Sequence, residues 1–142
     1  PTGATGTFST SFASIGSTGA AIVAQPANTP IPLDNNFVLV GTDISHTAGS
    51  GTITLNTAGS YLVAYSIMVD PAAGLTAGTF LDVNAVQLAY SITQSTLTAT
   101  TAGFESLSKT IIITVAAGST LDLRILFVSD IQFAMVTIMR LS

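Results

Sequence analysis

From residue 7 onward, short runs rich in Ile, Val, Thr, Phe and Tyr are separated by turns of Gly, Asn, Pro and Ala. β-Branched and aromatic side chains suit a pleated, half-buried surface, so the runs read as strands. Ten are expected, at 7–15, 21–24, 37–44, 51–56, 61–69, 79–83, 86–92, 107–115, 121–128 and 134–141. No segment carries the capped 3.6-residue period of an amphipathic helix. Glu and Lys, which usually fill exposed helix faces, are nearly absent. So many short strands in one chain of this length indicate an all-β sandwich. Pro26, Pro30 and Pro32 fall in one connection, which is expected to be extended and outside the ladders.

Alternation orients some strands. Leu121, Leu123 and Ile125 alternate with Asp122 and Arg124, so the apolar set is expected in the core and the charged pair in solvent. In 61–69, Tyr61, Val63, Tyr65, Ile67 and Val69 share one face, bulky enough for the sandwich interior. Leu62, Ala64, Ser66 and Met68 share the other, which carries no charge. Strand 134–141 is apolar on both faces apart from Arg140. A two-layer sandwich buries only one face of each sheet. Strands with two dry faces therefore call for a further partner, most simply other copies of the same chain. The residues expected at that contact are Leu62, Ala64, Ser66, Met68, Met135, Met139 and Leu141.

Composition supports the same reading. Of 142 residues, 48% are hydrophobic and only 7% charged, against about 25% charged in ordinary soluble domains. Thr, Ser, Ala and Gly must cover the surface, which is then weakly hydrated and weakly self-repelling. Such a surface suits a subunit of an oligomer or of a packed extracellular layer. The chain is long enough for a proper core and too apolar for disorder. Its mean hydropathy is +0.66. Yet Arg124 and Asp130 interrupt the best apolar stretch, 121–139, so no run reaches the roughly 18 residues of a membrane-spanning helix. Seven acids against Lys109, Arg124 and Arg140 leave little to neutralise phosphates, which argues against a nucleic-acid partner. The lack of cysteine removes disulfides, thiolate catalysis and cysteine–zinc sites together. A first residue of Pro1 rather than Met reads as a fragment, with any targeting signal upstream.

No catalytic constellation emerges, and no cofactor is implied. His46 is the only histidine and reads as an exposed loop residue; its neighbours Asp43 and Ser45 do not compose a triad by sequence proximity. The seven carboxylates Asp34, Asp43, Asp70, Asp82, Glu105, Asp122 and Asp130 lack the spacing of a calcium loop. Asp34, Asp43 and Asp70 are the residues from which separate loops would assemble such a site. Tyr61, Tyr65, Phe80, Phe104, Phe127 and Phe133 read as core rather than as a sugar-binding platform. Residues 1–6, Pro-Thr-Gly-Ala-Thr-Gly, fit two Gly-X-Y triplets, in which only Gly fits the triple-helix axis; a flexible Gly/Thr linker is the alternative. Thr2 and Thr5, in that register, are candidate O-glycosylation sites.

Gly59-Ser-Tyr61-Leu-Val-Ala64-Tyr65-Ser-Ile67-Met-Val69 resembles the corresponding strand of complement C1q-like globular heads, and Ala117-Gly118-Ser-Thr-Leu121-Asp-Leu123-Arg-Ile125 a later one. The wider group is the tumour-necrosis-factor-like jelly roll, which implies ten strands, two sheets and a compact homotrimer. A closer resemblance is to the C-terminal domain of bacterial collagen-like spore-surface glycoproteins of the BclA type. It is carried by Pro30-Ile-Pro32-Leu, Gly41-Thr42-Asp-Ile44-Ser45, Gly59-Ser-Tyr61, Asp82-Val83-Asn84 and the closing segment 134–142. Ala85 departs from the Gly often found after that Asn, so the turn is expected to differ in type; Leu33 stands where Phe is usual.

The resemblance implies that residues 1–6 end a collagen-like stalk and that 7–142 form the jelly-roll head. It implies a structural protein of the exosporium, the outermost spore layer, with itself and other exosporium proteins as partners. A host-surface ligand, and hence a part in adhesion, fits that setting. A dedicated ligand- or receptor-binding head and a collagen-stalked phage fibre tip are the competing readings.

Overall fold

The computed structural model of the chain describes residues 10–71, 76–96 and 103–142. Its strands are β1 (Phe12–Ser17), β2 (Ile22–Gln25), β3 (Asn35–Val40), β4 (Ile44–His46), β5 (Thr52–Leu55) and β6 (Gly59–Asp70). They continue with β7 (Thr76–Val83), β8 (Val86–Gln87), β9 (Thr93–Thr96), β10 (Glu105–Val115), β11 (Ser119–Ile125) and β12 (Ser129–Arg140). Sheet I has the order β10-β6-β12-β1-β3, with β2 also paired to β12; sheet II has the order β4-β5-β11-β7-β8, with β9 also paired to β7. Every pairing is antiparallel.

The all-β sandwich is as expected, but the described residues hold twelve strands rather than ten. The expected strand 37–44 is two strands in different sheets. Gly41, at φ +83, turns the chain between them. A Cβ there would collide with Ser11 Oγ, so the turn requires glycine. The expected strand 86–92 is a two-residue strand and a 3-10 turn, Ala89–Ser91. The polar segment after it, Thr-Gln-Ser-Thr, forms β9 because it borders Thr76–Thr79 of β7.

The two inner faces make the core. Tyr61, Val63, Tyr65, Ile67 and Val69 of β6 are all buried, with Val136 and Ile138 of β12 beside them. Leu121, Leu123 and Ile125 of β11 meet them from sheet II. The proline-rich connection runs along the second half of β11. Asn28 and Ile31 donate their backbone N–H groups to Ile125 and Leu123 carbonyls, and Ile31 and Leu33 are fully buried. Asn84 and Ala85 join β7 to β8 at φ +52 and +63. Two positive φ values define the type I′ hairpin that Asn-Gly usually makes, so the turn type is kept and Ala85 carries the strain.

Both ends of the described chain lie at one end of the sandwich. Arg140 N–H donates to the Ser11 carbonyl and Leu141 N–H to the Ser60 carbonyl. Gly59, at φ +150, leaves room for the Ser142 carbonyl where a side chain would collide. Arg140 pairs with Asp43 at 3.4 Å and donates to the Ala58 carbonyl.

Candidate self-association face

Side chains that are register partners point to the same side of a sheet. On the outer face of sheet I one row reads Ile112, Leu62, Met139, Phe12, Val40 across five strands. The next reads Thr110, Ala64, Thr137, Ser14, Val38. Then come Ser108, Ser66, Met135 and Gly16, followed by Ser106, Met68 and Phe133. No charged residue occurs in these four rows. The large side chains stand open: Ile112 is 58% exposed, Met139 47% and Phe12 40%. Beside them, the edge strand β3 exposes Phe37, Val38, Leu39 and Val40. A patch of this composition on a free monomer is unusual, and an apolar strand edge is a template for association.

Six of the seven residues expected at a subunit contact are therefore brought onto one face: Leu62, Ala64, Ser66, Met68, Met135 and Met139. Leu141 lies just beyond β12, still 40% exposed. Thr2 and Thr5 lie outside the described residues. Sequence reasoning missed Phe12, Val38, Val40, Ile112 and Phe133. The runs Phe37–Val40 and Ile111–Ile113, apolar on both faces, were the available signal; that they share a face with Leu62 follows only from long-range register.

Two rows of the outer face of sheet II are polar, and a third sets Arg124 opposite buried Phe80. One row is Ser45, Thr54, Thr120; the next is Thr52, Asp122, Asp82, Gln87. Asp122 and Arg124 are not in open solvent as alternation implied. Asp122 is buried, because Arg124 Nη2 lies 2.8 Å from its Oδ2 while Nε stands 3.5 Å from Asp82 Oδ2. Arg124 Nη1 also donates to the Asn28 carbonyl at 3.0 Å. The second carboxylate, Asp82, comes from β7, a partner that the period within β11 cannot reveal. Oδ1 of each carboxylate is buried without a hydrogen-bond partner.

The remaining candidates are structural. His46 is half-buried at the end of β4, not an open loop residue. Its Nδ1 is 2.6 Å from Asn36 Oδ1 on β3 and its Nε2 3.0 Å from the Ser50 carbonyl in the β4–β5 turn, so the ring ties β4 to β3 and to its own turn. A shallow pocket of about 280 Å³ beside it is lined by Ser45, His46, Thr47, Ser50, Thr52 and Thr54. Asp34 accepts from the Thr18 and Gly19 N–H groups, and Asp43 accepts from Thr57 Oγ1 and pairs with Arg140. Asp70 stands opposite Asp130. Among the described residues no three His, Asp or Glu side chains gather to hold a metal ion. Tyr61, Tyr65 and Phe80 are buried, but Phe104 and Phe127 are exposed and Phe133 lies half-buried on the outer face of sheet I, which corrects their assignment to the core. Burial pushes both tyrosine phenols above their ordinary value of 10.0, at Tyr61 against the Arg140 charge and at Tyr65 against a hydrogen bond from Thr93.

Two antiparallel sheets with these crossovers make a jelly roll of the C1q and tumour-necrosis-factor class. The globular domain of zebrafish complement 1qA matches with a TM-score of 0.71 at 13% identity, covering 93% of this chain and 98% of that one. An Eiger TNF from S. frugiperda gives 0.71 at 16% identity, covering 92% of each chain. Murine APRIL gives 0.69 at 10%, covering 92% of this chain and 98% of that one. At these identities the likeness is one of fold. The chain belongs to the BclA C-terminal domain family, whose profile matches residues 12–142. No curated protein matches the sequence.

Proposed function

We propose that this chain is a structural, non-enzymatic surface protein: the trimerising head of a collagen-like filament on the bacterial spore exosporium. The observation that carries the reading is the four uncharged rows on the outer face of sheet I, spread over five strands and open in the single subunit. Three copies packed around an axis would bury it, as domains of this class typically assemble. Small side chains at Ala64, Ser66 and Gly16 suit close approach at such a seam. Residues 1–6 would be the last triplets of the stalk, with Thr2 and Thr5 as sugar acceptors. β1 belongs to the associating sheet, so assembly brings three chain entries together. Triple-helix nucleation needs that alignment, and the head supplies it as effective concentration. The hydroxyl-rich outer face of sheet II would then meet neighbours in the layer or a host surface.

The test is to place a Gly-X-Y tract ahead of Pro1, melt the protein and follow recovery of the triple-helix circular dichroism band. Rapid recovery is expected with the native head, and slow, concentration-dependent recovery with Ala64→Arg. Equal recovery in both would remove the role in nucleation.

A further inference from the structure

The chain has three methionines, and all three lie on the outer face of sheet I. Met139 sits opposite Leu62, Met135 opposite Ser66, and Met68 opposite Phe133. They are not equivalent. Met135 is half-buried, and Ser14 Oγ donates to its sulfur at 3.5 Å. Met139 and Met68 are 47% and 37% exposed in the single subunit. Methionine oxidation follows exposure, and it turns a flexible apolar side chain into a polar, chiral one. Met139 stands between Leu62 and Phe12, and Met68 between Ser106 and Phe133 with Asp70 next on the same side of β6; neither row offers a cationic or amide donor to a sulfoxide oxygen.

We propose that Met68 and Met139 are oxidant-reactive modification sites of the unassembled chain, and that their conversion to sulfoxides prevents assembly. The oxidant class is a hydroperoxide. The thioether sulfur loses two electrons as it attacks one peroxide oxygen; the O–O bond breaks, an S–O bond forms, and an alcohol leaves, or water where the oxidant is hydrogen peroxide. Once three copies close over the face, the same sulfurs are shielded. The chain is thus vulnerable before assembly and resistant afterwards. The inference rests on the trimer proposed above.

The test uses hydrogen peroxide on a Met135→Leu chain, so that only the two exposed sulfurs can react. Peptide mass spectrometry follows each site in the native protein and in denaturant. Native rates on the order of tenfold slower than denatured ones are expected, because reactivity follows exposure. The denatured, oxidised chain, returned to native buffer, should recover its β-sheet circular dichroism yet elute as a monomer. Treatment with both methionine sulfoxide reductases should restore the trimer. A Met68→Leu, Met135→Leu, Met139→Leu chain given the same peroxide exposure should assemble. Trimers that form from fully oxidised chains would overturn the proposal while leaving the trimer standing. An oxidised chain that loses its β-sheet spectrum would place the damage in the fold and overturn it too. A native protein that is monomeric and reacts at the denatured rate would remove the trimer and the proposal together.

Discussion

The two sheets present similar inner faces to the core and opposite outer faces to their surroundings. Sheet I shows Ile112, Leu62, Met139, Phe12 and Val40 in one row, all of them apolar and none a hydrogen-bond donor. Sheet II, at the same depth outside the core, shows Ser45, Thr54 and Thr120, then Thr52, Asp122, Asp82 and Gln87. Where sheet II does bury charge, it does so within the subunit, by setting Arg124 against two carboxylates. Sheet I leaves apolar side chains whose burial is worth about 25 cal/mol per Å² once another surface covers them. One face is therefore complete in a single chain and the other is not.

The largest expected effect comes from charging the incomplete face. Ala64 lies between Thr110 and Thr137 in the middle of sheet I. Ala64→Arg would set three like charges in one seam, and an unpaired buried charge costs several kcal/mol per ion. Size-exclusion chromatography should show a folded monomer. Thr54→Arg, the matching change on the outer face of sheet II, should leave the assembly intact. Loss of assembly in both, or in neither, would erase the distinction between the faces.

Next in size is removal of the charge that completes sheet II. Arg124→Met leaves Asp82 and Asp122 facing each other without a cation. Breaking a buried pair in this way costs about 3–5 kcal/mol. The denaturation midpoint should fall sharply while protein that remains folded keeps its subunit number. A midpoint within error of the parent would mean that the cluster is solvated.

Smaller changes probe what the two faces share. Tyr65 reaches across the core from sheet I to donate to the Ser91 carbonyl, 2.6 Å away, beside Thr93 Oγ1. Burial raises its phenol, so folding favours the neutral form. That contribution is fully present below the ordinary value of 10.0 and is lost as pH rises through the higher folded value. Melting temperature should therefore fall above pH 10. Tyr65→Phe should cost about 1 kcal/mol at neutral pH through the lost hydrogen bond, and should flatten the alkaline decline. An unchanged alkaline slope would place the titration elsewhere. The smallest effect is expected at the β7–β8 turn. Ala85→Gly relieves a left-handed alanine and should raise stability by about 0.5–1 kcal/mol in urea titration; no gain would mean that the turn holds alanine without strain.

How far these differences were legible in the sequence depends on their range. The two faces of β6 could be read directly, because bulky Tyr61, Val63, Tyr65, Ile67 and Val69 alternate with smaller Leu62, Ala64, Ser66 and Met68. The break between β3 and β4 was hidden, since Gly41-Thr42-Asp43 interrupts a run that otherwise keeps strand character. β9 was hidden because polar Thr-Gln-Ser-Thr becomes a strand only by bordering β7. Asp122 was misread for the same reason: within β11 it alternates like a solvent residue, and its burial depends on Arg124 bridging it to Asp82, forty positions away. Met68, Met135 and Met139 were legible strand by strand, but Phe12 and Ile112 joined their face only through register.

The most direct measurement is the mass of the native protein by light scattering at micromolar concentration. Three times the 14.4 kDa of one chain is expected, because the outer face of sheet I is covered only when copies meet. A stable, soluble species with the mass of a single chain would show that this face needs no partner, and would contradict the central claim.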